Sequence, residues 1–156
     1  MKIGTAVYTP VRDYPLRAKR ANEVRVKDRF WAPKIRANAE VTIPFQVQKL
    51  AQDDREFSLN VLEAALVSLQ THPDAALAAQ VEKRIASLRS EPWKGNTNFE
   101  IAAAYFHATG KRDLLEQAGK AAQALYKDFQ VNNPPFSGGE RDALNCLQLY
   151  RVTGDK

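Results

Sequence analysis

"YFHATGKRDLL", Tyr105 to Leu115, and "LYRVTGDK", Leu149 to Lys156, carry the same junction some forty residues apart. In the first, an apolar run ends on Thr109-Gly110 and a new helical pattern opens at Asp113. Glycine just past an apolar run is the usual helix C-cap, because it accepts a positive φ at no steric cost. A third junction, Thr71-His72-Pro73-Asp74, lies at a similar spacing upstream; Pro73 breaks the helix there, and Asp74 is an N-cap for the next. Repetition at this period is the signature of stacked helical hairpins.

The runs between these junctions alternate in character. Leu59, Leu62, Leu66 and Leu69 recur at helical spacing, with Val61, Ala64, Ala65 and Val67 on the other faces. Leu77, Val81, Ile85 and Leu88 make a single stripe opposite Glu82, Lys83 and Arg84. "FEIAAAYFHA", Phe99 to Ala108, is apolar almost all round. Leu114, Ala118, Ala121, Ala122, Leu125 and Phe129 again form one stripe, and "ALNCLQLY", Ala143 to Tyr150, is apolar on most faces. A helix apolar all round must be covered on both sides. Inner helices wrapped by outer ones satisfy that, with short junctions making neighbours antiparallel.

The pattern predicts an all-α protein of inner and outer helical hairpins, an open solenoid or part of a closed α/α toroid. Helices are expected near 34–50, 57–71, 75–90, 97–109, 112–129 and 139–152. Those at 57–71, 97–109 and 139–152 should be inner and the more buried. Pro44 should bend or end the first helix. No sheet larger than a short pairing near Val24 and Val26 is expected. The register calls for another outer helix after Lys156, so the chain is expected to be truncated there. In that case some of Leu144, Leu147 and Tyr150 would be left uncovered, inviting self-association.

Composition bounds the function. A chain of 156 residues with 44% hydrophobic and 26% charged residues suits one globular domain. One cysteine excludes a disulfide framework and a cysteine-based zinc site within this chain. No run reaches membrane-spanning length, and "MKIGTAVYTP" has no signal-peptide core. As written the chain reads as cytoplasmic; with a leader missing it would be periplasmic or secreted. The net charge of +5 is concentrated early: residues 1–40 hold ten Lys or Arg against four acids. Residues 1–30 are read as a basic extended arm and 31–156 as the helical domain, with Phe30 and Trp31 anchoring the arm to the core. The arm has no regularly interleaved aromatics and no Arg-Gly pattern, so nucleic acid is not expected as a partner, and with no run of spanning length neither is a membrane.

"EVRVKDRFWAPKIRANAEVTIPFQ", Glu23 to Gln46, adds evidence of a second kind. It resembles the opening of the beta-L-arabinofuranosidase-like glycoside hydrolases, family 127. "LEAALVSLQTHPDAAL" (Leu62 to Leu77), "AAAYFHATGKRDLL" (Ala102 to Leu115) and "LYRVTGDK" follow in the family's order. The resemblance spans about residues 15–156 and implies a partial (α/α)6 toroid, a glycoside hydrolase activity on L-arabinofuranosides or related glycans, and a carbohydrate partner. It also implies zinc in the full-length family, with a zinc-bound cysteine as nucleophile and a glutamate as acid/base. Those residues lie beyond this chain's last residue, so no catalytic residue and no cofactor is assigned within it. Departures are clear. "KGNTNFE" stands where the family has Ser-His-Glu, and "SGGERDA" puts Gly139 where a family histidine falls. The chain alone is therefore expected to be inactive. The alternative is a non-catalytic helical scaffold binding a glycan or a protein.

Candidate substrate-binding residues come from the starts of two inner helices, Asn96, Asn98 and Glu100 in one and Glu140, Arg141 and Asp142 in the other. Inner helices two apart run parallel, so both starts should open on one end. Sugar hydrolysis commonly uses two carboxylates flanking the bond. The plainer reading is helix capping and macrodipole stabilisation. Trp93, beside a loop at the same end, would stack on a sugar ring or simply seal the loop. Cys146 reads as a buried small hydrophobe, and His72 and His107 have no metal-ligand spacing.

Overall fold

A computed structural model describes residues 19–52, 58–93, 99–132 and 139–154, with the backbone alone at 51–52 and 139–142. Every regular element among the described residues is helical. The sequence order is α1 (Trp31–Ala37), α2 (Ile43–Gln52), α3 (Leu59–Leu69), α4 (Ala75–Ser90), α5 (Phe99–Thr109), α6 (Asp113–Asn132) and α7 (Gly139–Thr153). They fall into two compact units, one holding α1 to α4 and the other α5 to α7. Val24 is extended but joins no sheet among the described residues.

In the first unit, Asp28 starts α1. Its carboxylate accepts from the Phe30 N–H at 2.8 Å and from the Trp31 N–H. Those donors hold its pKa below the ordinary carboxylate value, the Trp31 bond contributing most. Pro33 sits in the first turn, where its missing N–H costs nothing. Pro44 was expected to bend or end the helix. It does not end it: the chain changes its hydrogen-bonding pattern just before Pro44. Residues 38–42 form a π-turn in which the Ile43 N–H reaches the Asn38 carbonyl, five residues back, and helix continues to Gln52. The wider turn has a second effect. Trp31, Ile35, Ala39, Ile43 and Val47 recur every four residues, which drifts about 40° per step round a regular helix. A π-turn takes up more residues per turn and offsets that drift. Ala39, Ile43 and Val47 are buried and α2 packs on α3, whereas Trp31 and Ile35 are exposed.

Ser58 caps α3, its Oγ accepting from the Val61 N–H at 3.4 Å. Leu62, Ala65, Leu66 and Leu69 are buried on α3, which packs on α4. The predicted α4 stripe of Leu77, Val81, Ile85 and Leu88 is buried, together with Ala78. Asp74 caps α4 as expected, accepting from Ala76 at 2.9 Å and Leu77 at 3.0 Å.

The second unit is built on α5. Nine of its eleven residues are buried; only Glu100 and His107 are half-buried. Both α6 and α7 pack against it, and against each other. Two expectations fail here. The α6 stripe is buried at Leu114 and Ala118 but exposed at Leu125 and Phe129. On α7, Asn145 and Leu149 are buried, while Leu144 is 55% and Leu147 49% exposed. The predicted burial order thus holds for α5 and fails for α7, while the exposed Leu144 and Leu147 are the uncovered edge that was expected on this helix. The reason is geometric: α7 meets α5 and α6 on one side, and an apolar pattern cannot itself bring a neighbour to the other. Cys146, expected to be buried, is exposed for the same reason.

Candidate functional site

Phe99 and Glu100 open α5, the phenyl ring fully buried and the carboxylate half-buried. Helical periodicity explains the split: Phe99, Ala102, Ala103 and Phe106 lie on one face and are all buried. Glu100 is in the first turn, where a negative charge meets the positive end of the helix macrodipole. Asn96 and Asn98, predicted beside it, lie outside the described residues. Glu140, Arg141 and Asp142 fall in the first turn of α7, after Gly139, and their side chains lie outside what is described. The packing of α5 on α7 therefore makes neighbours of the two helices that bear the acidic clusters.

Asn145 is a residue that the sequence reading passed over. It lies one turn into α7 from Arg141 and Asp142, yet it is only 2% exposed. Buried amides are costly unless hydrogen-bonded, so they mark polar spots inside a core. The signal was present as the one amide inside the apolar run "ALNCL", Ala143 to Leu147. A surface asparagine in the same run would have read identically, so burial alone distinguishes it.

At its other end, two α5 rings each meet a cation. Lys111 Nζ lies 5.6 Å from the Tyr105 ring centroid, and the Arg112 guanidinium carbon lies 5.7 Å from that of Phe106. These contacts close the α5–α6 junction. Trp93 is half-buried in the segment before α5, and the Gln117 side-chain amide in α6 donates to the Glu91 carbonyl at 3.3 Å. Among the described residues, no three His, Cys, Asp or Glu side chains gather as a metal site would require. Phe30 and Trp31, expected as core anchors, are 62% and 59% exposed. They pack on each other instead, edge to face, with ring centroids 5.1 Å apart.

Of the candidate binding residues, only Glu100 has a described side chain, half-buried at the start of α5, the helix on which α7 packs. No protein-family model, curated protein or solved structure matches this chain.

Proposed function

We propose that this chain is part of a glycoside hydrolase acting on L-arabinofuranosides or related glycans, built of inner and outer hairpins of a partial (α/α)6 toroid. On this reading it turns over no substrate by itself. The observation that carries it is the setting of α5, buried on nearly all sides and packed on both α6 and α7. That is what an inner helix with an outer partner and an inner neighbour requires. Three residues, 110–112, join α5 to α6, and so short a connection makes the pair antiparallel. With α7 returning parallel to α5, the acidic starts of both helices open on one end. Glu100, Glu140, Arg141 and Asp142, with Asn96 and Asn98, are then the sugar-binding groups.

A calorimetric titration with L-arabinose and short arabinan tests this, beside a turnover assay with and without zinc. Binding without turnover is expected. Glu100→Ala and Asp142→Ala should each weaken binding by about 1–2 kcal/mol, the order of one hydrogen bond to a sugar hydroxyl. Turnover abolished by Glu100→Ala or Glu140→Ala would make the carboxylates catalytic and overturn the non-catalytic assignment. A second reading, a helical scaffold without glycan chemistry, is favoured by the missing histidines before α5 and α7. Absence of sugar binding, with both variants as stable as the parent, would leave that reading alone.

A further inference from the structure

We infer that residues 24–36, at the start of the first unit's long helix, form a peripheral docking surface for an anionic lipid bilayer. Every residue in this stretch is exposed except the half-buried Ala32. Its charges are Arg25, Lys27, Arg29, Lys34 and Arg36 against the single acid Asp28, which is engaged in starting α1. Amid these cations stand the exposed rings of Phe30 and Trp31, with exposed Ile35 one turn on.

Large apolar side chains grouped on a surface mark a place where something binds. The chemistry of this group selects the occupant. The two rings meet edge to face at 86° and together form one exposed apolar group. Lys34 Nζ lies 4.8 Å from the Phe30 ring centroid, so a cation stands directly beside the exposed ring. Aromatic rings at headgroup depth, flanked by cations facing anionic headgroups, are the composition of an interfacial segment. Nucleic acid fits less well. Base stacking needs open ring faces, and here Phe30 presents a face to Lys34 while meeting Trp31 edge on.

No apolar run in the sequence is long enough to span a membrane. Among the described residues, no helix is long and apolar enough to cross a membrane. Lying on a bilayer is a different requirement, met by a short apolar group rimmed with cations.

The test is co-sedimentation of the full chain with phosphatidylcholine vesicles, with and without phosphatidylserine. Binding is expected to the phosphatidylserine vesicles and to fall as salt screens the cations. Trp31→Ala should weaken it about tenfold, in line with the loss of one large interfacial side chain. Lys27→Glu with Arg29→Glu should abolish it. Far-UV circular dichroism should show all variants as helical as the parent, since the altered side chains are exposed. Equal binding to neutral vesicles, no binding, or binding indifferent to Trp31→Ala would each overturn the inference. Tighter binding of oligothymidylate, lost in the same variants, would reassign the surface to nucleic acid and overturn it likewise.

Discussion

Helices α5 and α7 end in the same way and are buried in different ways. Thr109 Oγ donates to the Tyr105 carbonyl at 2.7 Å, and Thr153 Oγ to the Leu149 carbonyl at 3.0 Å, each four residues back. Gly110 follows at φ 75° and Gly154 at φ 78°. Their N–H groups donate to Phe106 at 2.8 Å and Tyr150 at 2.7 Å. One local device has been used twice. Above it, α5 buries nearly every side chain, while α7 exposes Leu144 and Leu147. The cap is made from atoms within one turn and forms wherever Thr-Gly ends a helix. Burial needs a second surface over each face, and the face of α7 bearing Leu144 and Leu147 meets none among the described residues.

The largest expected effect separates the two helices directly. Tyr105→Ala should destabilise the fold by about 3–5 kcal/mol, because a large, fully buried ring leaves a cavity in a helix that cannot collapse around it. Leu147→Ala should cost less than about 0.5 kcal/mol, as an exposed side chain does. Urea denaturation of both variants measures the contrast, and similar losses would break it.

A smaller effect sharpens it. Gly110→Ala places a Cβ in the left-handed region, at a cost of about 1–2 kcal/mol. Gly154→Ala meets the same backbone strain, but α7 can fray at its end with less buried surface lost, so its effect on global stability should be smaller. Denaturation midpoints decide this; equal losses would mean that the cap, and not the burial above it, sets the cost.

The smallest effect concerns a helix start with no burial behind it. The Asp28 pKa is lowered chiefly by the Trp31 N–H, with a further contribution from Phe30. A depressed carboxyl pKa stabilises the folded form above the unfolded value, about 3.9 for aspartate. That stabilisation is lost as pH falls through the lower folded value. Below about pH 4, exchange of the Phe30 and Trp31 amides should speed up relative to the Val61 amide at the start of α3, whose cap, Ser58, does not titrate. Asp28→Asn should flatten that dependence. An unchanged profile would show that α1 does not rely on this acid.

Helix positions were largely legible from the sequence. The α4 stripe, the Asp74 cap and the glycine stop at Gly110 depend on neighbours three or four residues away, so local pattern suffices to find them. Pro44 was legible as a disturbance, but not as a π-turn. The missing N–H is a local fact, whereas the choice between ending the helix and widening it depends on Ala39, Ile43 and Val47 reaching a common buried face. The candidate site was legible only as residue types. Glu100 is where helical spacing put it, but the depth of Asn145 and the contact of α5 with α7 join residues some forty positions apart.

The sequence by itself determined where helices begin, stop and repeat, because caps and turns are satisfied by atoms a few bonds away along the chain. Tertiary structure alone decided which apolar faces are covered. The runs at Phe99–Ala108 and Ala143–Tyr150 read alike, yet only α5 is enclosed. Removing a side chain from water takes a second surface, and the pattern within one helix holds no information on where that surface is.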